Sequence, residues 1–183
     1  NLRLPSIHGM HFILYGLTST DINRDGKDEI AILDKDYHLR VYAANGRILV
    51  QSAEYYGHDP RLINLGVKED ASGIVQEGEP VGFRGRLEFI RHGKYRYLLL
   101  PRNHSAGGRL WPGLATIGVS GSIAVLSLNR EGFENSFETK RHKGYVAAYQ
   151  VVKSQGKEPA RLHMATVEER AFGGKTISTI YTY

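Results

Sequence analysis

Strand signals run along most of the chain, and no window of a dozen residues carries the apolar spacing of three and four that marks a helix. "HFILYGLTSTD" (11–21), "EIAILDKD" (29–36), "HLRVYAA" (38–44) and "RILVQSAEYY" (47–56) follow one another as strands. Asn45-Gly46 lies between the last two and predicts a two-residue hairpin turn, because both residue types tolerate positive φ.

The strand–turn–strand pattern recurs. "YGLTSTDINRDGKDEIAIL" is followed by "GRLEFIRHGKYRYLLL" (85–100) and "VAAYQVVKSQGKEPARLHMA" (146–165), with turn glycines Gly26, Gly93 and Gly156 about 65 residues apart. "HLRVYAANGRILVQS" is matched in turn by "SIAVLSLNREGFENSFET" (122–139), and "KTISTIYTY" (175–183) supplies a third strand to the last unit. Each unit reads as a four-stranded antiparallel meander of roughly 60 residues, longer than the usual propeller repeat of about 40–50. The surplus falls in long loops at 57–82 and 102–121, which show no internal period. The predicted fold is all-β: one piece spanning 1–183, with propeller-type units at about 11–56, 82–140 and 144–183. A closed propeller takes at least about four blades. Three units therefore imply completion by further sequence of the same protein or by a second copy, with Asn1–Met10 as a candidate outer strand. A twisted sandwich of three meanders is the simpler alternative.

Candidate chemistry concentrates in "DINRDGKDE" (21–29). Asp21, Asn23 and Asp25 alternate, Gly26 permits a sharp turn, Lys27 offers its carbonyl, and Glu29 closes the run at the start of the next strand. Five oxygen donors, none of them soft, suit a hard cation, and calcium tolerates such irregular geometry better than magnesium does. The loop is no EF-hand. Position 12, counted from Asp21, is the apolar Ile32, and both flanks read as strands. An Asx-rich turn that merely caps itself is the alternative, and it leaves Glu29 without a role.

Oxygen donors at positions 1, 3, 5, 7 and 9 between two strands resemble the calcium loop of FG-GAP repeats, also called VCBS repeats, found in integrin-type β-propellers. "DINRDGKDEIAIL" matches that pattern at every ligand position, with Asn23 in place of one Asp. The turns "IRHGKYRY" and "VKSQGKEPAR" of the other units lack the acids, so one ion-bearing unit is expected. The resemblance implies a non-catalytic module with one structural Ca2+ ion. It further implies a periplasmic, cell-surface or secreted setting, and recognition of a protein or glycan partner through the long loops.

Composition narrows the alternatives. The chain of 183 residues has no cysteine, which excludes disulfides and zinc–thiolate sites. Its net charge of +5 is scattered, without the basic stripe of a nucleic-acid binder. The longest apolar runs, Leu98–Pro101 and Ser122–Asn129, are too short to span a bilayer as a helix. The chain begins at Asn1, as expected of a processed protein or a segment of a longer one. Arg91-His92-Gly93 is similar to a histidine-phosphatase signature, but it falls in a hairpin turn with no α/β pattern around it. "GVSGS" (118–122) fails as a nucleophile elbow, since Ser122 stands where the second Gly belongs. His8 and His11 lie three apart on an extended segment, and His104, His142 and His163 lack ligand spacing. Asn103-His104-Ser105 fits a glycosylation sequon, and Trp111 reads either as a loop anchor or as a contact residue. A hydrolase with its site where units meet and a lectin-like glycan-binding module are the rival functions.

Overall fold

Antiparallel pairing of neighbouring strands organises the computed structural model, which describes residues 16–22, 25–34, 37–56, 62–65, 68–69, 75–76, 79–82, 85–93, 95–104, 119–129, 132–153, 160–168 and 176–183. The described residues contain no α-helix. The first sheet is a meander of β1 (Leu17–Thr20), β2 (Glu29–Leu33), β3 (His38–Tyr42) and β4 (Ile48–Tyr55), paired in that order. Next come β5 (Leu62–Leu65), β6 (Lys68–Glu69), β7 (Val75–Gln76) and β8 (Glu79–Gly82), where β6–β7 is nested inside the β5–β8 pair. The second sheet orders β9 (Glu88–His92), β10 (Tyr95–His104), β11 (Ser120–Asn129) and β12 (Gly132–Glu138), and β13 (His142–Lys143) pairs with the start of β11. The third is β14 (Tyr145–Val152), β15 (Arg161–Glu168) and β16 (Ile177–Thr182).

The expected all-β meanders are therefore present; residues 102–104 and 120–121, read as loop, extend β10 and β11, and two further features differ from the sequence reading. The 57–82 region, read as loop, contains the nested pairs; strands of two to four residues are too short to register as a period. The β3–β4 turn also differs. Gly46 has φ +84°, but Asn45 is not left-handed. The Gly46 N–H donates to Ala43 O (2.8 Å) and the Ala43 N–H to Arg47 O (2.9 Å), which makes a three-residue turn with glycine at the left-handed position. The Asn45 side-chain oxygen is spent on the Arg47 N–H (3.1 Å). A left-handed alanine is strained, so Gly46→Ala is expected to lower stability by about 1–2 kcal/mol in denaturant titration. Asn45→Ala should cost less, because it removes one exposed hydrogen bond.

The three sheets stack face to face, with the second in the middle. Ala31, Leu33, Leu39 and Val41 of the first sheet meet Leu98, Leu100, Ala124 and Leu126 of the second, joined by Tyr56 and Leu87. On the opposite face, Leu99 and Ile123 meet Val146, Tyr149 and Met164 of the third sheet. Because β10 and β11 are covered on both sides, their central residues are apolar in succession rather than alternating. Equivalent strands of the first two sheets lie against each other, β1 by β9 and β4 by β12. Two polar side chains and one glycine pin the third sheet to the second. The Tyr149 hydroxyl lies 2.9 Å from Leu99 O and 3.0 Å from Arg86 O, Asn103 Oδ1 accepts the Val146 N–H (2.8 Å), and Gly121 lets β14 approach closely.

Candidate functional site

The register sets the frame of the acidic loop. Thr20 pairs with Glu29, so residues 21–28 form the connection between β1 and β2, and Asp21 and Glu29 stand at its two ends. The acids wind the loop through backbone bonds. Asp21 Oδ1 accepts the Asp25 N–H (3.1 Å) and Asp21 Oδ2 the Gly26 N–H (3.2 Å). Asp25 Oδ1 accepts the Lys27 N–H (2.8 Å), and Gly26 turns the chain at φ +83°. Glu29 is 2% exposed, and its Oε2 accepts the Ile22 N–H (2.7 Å).

The donor chemistry fits a hard cation. A carboxylate oxygen that accepts one N–H keeps a second lone pair for a metal, and a buried carboxylate gains from a nearby positive charge. Asn23 lies outside the described residues. Among the described residues, no three His, Asp or Glu side chains gather at metal-holding spacing. An ion here would therefore have to draw Asp21, Asp25 and Glu29 together with the Lys27 carbonyl. Its chemistry would be to neutralise their mutual repulsion.

A second polar cluster, missed by the sequence reading, bridges the first and second sheets. Ser122 is fully buried, and its hydroxyl donates to Glu138 Oε1 (2.6 Å). Arg102 reaches Glu138 (3.3 Å) and Glu54 of β4 (3.5 Å), with its guanidinium 5.7 Å from the Tyr56 ring centroid. Arg141 lies 3.7 Å from Glu138. A hydroxyl shut away from solvent is out of reach of a substrate, and the network ties strands together. The signal for it was Ser122 directly before the apolar run Ile123–Leu126.

The cluster makes stability depend on pH. Burial pushes the Glu138 carboxyl up, but the Ser122 hydroxyl and the Arg102 and Arg141 guanidiniums outweigh it and hold the group below its usual range. Burial, then Arg141 and Arg102, push the His104 imidazole down. Both groups release protons more readily folded than unfolded, so each contributes stability above its unfolded pKa that is lost as pH falls. Melting temperature should drop first below about pH 6.5, from His104, and again below about pH 4.3, from Glu138. His104→Gln should shrink the first step, the remainder coming from His142, which burial and Lys140 also push down, and Glu138→Gln should remove the second; wild-type-like profiles in both would contradict the assignment.

The remaining sequence candidates resolve individually. Asn103 of the sequon carries the Val146 bond, so glycosylation there would compete with sheet packing. Arg91 and His92 end β9, and Gly93 turns at φ +59°, as a hairpin requires. Ser120, Gly121 and Ser122 lie within β11, with no strand-to-helix turn. His142 Nε2 bonds the Tyr183 hydroxyl, and His163 Nδ1 lies 3.0 Å from Thr182 Oγ1. Asn1–Met10, His8, His11, Ser105, Trp111 and Gly156 lie outside the described residues. No protein-family model matches the chain, and no curated protein matches it.

Proposed function

We propose that this chain is a non-catalytic, calcium-stabilised β-propeller-type module of the FG-GAP/VCBS kind, acting in recognition in the cell envelope or outside the cell. The observation that carries the reading is the β1–β2 connection. It concentrates alternating oxygen donors between two strands and places a buried glutamate at its base. Stacked meander sheets with equivalent strands in contact support blade-like packing. The outer face of the third sheet supports continuation of the stack: Val152 is 43% and Ile180 73% exposed there, where a further sheet would cover them. That sheet would come from more of the same protein or from a second copy. In this reading the ion stiffens one rim of the first sheet, and contact with a protein or glycan falls to the long loops.

Calorimetric titration with calcium, paired with melting in chelator, tests the reading. Saturable heat and a melting temperature that rises with free calcium are expected. A melt unaffected by calcium would remove the ion and, with it, the main ground for the family assignment.

A further inference from the structure

A cavity of about 210 Å³ opens between the β1–β2 connection and the second sheet, lined by Ile22, Phe89, Tyr95, Arg96, Leu98, Ser127 and Leu128. Ile22, Phe89, Leu98 and Leu128 are apolar; Tyr95, Arg96 and Ser127 carry polar groups, and Arg96 lies on the face of β10 that carries Leu98 and Leu100 toward the first sheet. It is partly buried, and its Nη1 is shut off from solvent without a hydrogen-bond partner. Its cross-strand neighbour is another cation, Arg91, which turns its own Nε to Gly93 O (3.2 Å). Like charges directly opposite on a sheet destabilise it, and a buried donor with no acceptor is costly to leave unmade. The same cost is removed when an anion fills the cavity.

We propose that this cavity is a binding site for a small monocarboxylate with an apolar body. The guanidinium presents a planar fork that a carboxylate meets with two parallel bonds. Ile22, Phe89, Leu98 and Leu128 would enclose the apolar part. A doubly charged phosphate suits the site less well, because one cation among apolar walls leaves its second charge uncompensated. The volume falls below the roughly 300 Å³ at which pockets for drug-sized ligands begin, which limits the ligand to a small acid. The inference does not depend on calcium, although Ile22 is shared by the cavity and the acidic loop.

Benzoate is the probe, with benzamide as its uncharged counterpart, titrated by calorimetry and amide chemical shifts in the presence of chelator. Benzoate is expected to saturate with a dissociation constant on the order of 1 mM, and benzamide to bind at least about tenfold more weakly. Arg96→Met should abolish benzoate binding while leaving the melting temperature of the free protein unchanged or higher, since it removes an unpaired charge. Leu128→Trp, which fills the cavity and keeps the guanidinium, should abolish binding as well. Equal binding of benzoate and benzamide, wild-type affinity in Arg96→Met, or no saturation by benzoate would overturn the proposal. Unfolding of Arg96→Met would also overturn it, because the guanidinium would then already have a structural partner.

Discussion

Gly121→Val is expected to separate the third sheet from the second. A Cβ on residue 121 would stand 2.8 Å from the Val146 backbone nitrogen, 2.7 Å from a Val146 methyl and 3.0 Å from Asn103 Oδ1. None of these atoms is the free end of a long side chain. The Val146 N–H is held by Asn103 Oδ1, so moving β14 away also breaks that bond. Overpacking of this kind costs about 1–3 kcal/mol, and stranding the donor adds a similar amount. Together they correspond to a fall of about 5–20 °C in melting temperature for a chain of this length. Hydrogen exchange locates the damage. The amides of Val146 and Tyr149 should lose protection, while those of Ile32 and Val41 in the first sheet keep most of theirs. A variant that melts within a degree or two of wild type would mean that β14 does not lie this close to β11.

The second large effect is that of calcium on the β1–β2 loop. At free calcium about a thousandfold above the dissociation constant, the ion should stabilise the protein by about 4 kcal/mol. Glu29→Gln separates the ion from the hydrogen bond. The amide oxygen can still accept the Ile22 N–H, but the buried negative charge is gone. The comparison is made within each protein, between calcium and chelator, so that any effect of the substitution on the ion-free fold cancels. With calcium this variant should gain far less than wild type. Asp21→Ala behaves differently: it loses the acceptor for the Asp25 and Gly26 N–H groups and should be less stable even in chelator. Magnesium should substitute poorly, because its tight octahedron suits this irregular donor set less well. If wild type and Glu29→Gln show the same calcium response, Glu29 is no ligand; if neither responds, the loop is a self-capped turn.

Some features were legible in the residues themselves because they are local. The run "EIAILDKD" contains β2, which ends at Leu33, and "VAAYQVV" became β14 with its start one residue earlier. The meander order followed from short connections between consecutive strands. The acidic loop was visible because its donors lie within nine consecutive residues. The turn at Asn45-Gly46 shows the limit of such reading: the residue types were right for a turn, but the way the flanking strands pair set its length and gave the left-handed position to glycine alone.

What the tertiary structure decided involves residues far apart in the chain. That Leu98–Leu100 and Ile123 lie in the middle of a three-sheet stack depends on sheets covering both faces, and an apolar run alone does not say what covers it. Ser122 and Glu138 meet because β11 and β12 pair, and Arg102 joins Glu54 because the first sheet stacks on the second. Arg96 is an ordinary basic residue in the sequence; only the packing around it shuts its Nη1 from water without an acceptor. Sequence spacing fixes which side of a strand a residue occupies, since side chains alternate with a period of two. Which partner lies on that side, and whether a charge there finds its complement, is set by contacts between sheets that no local pattern encodes.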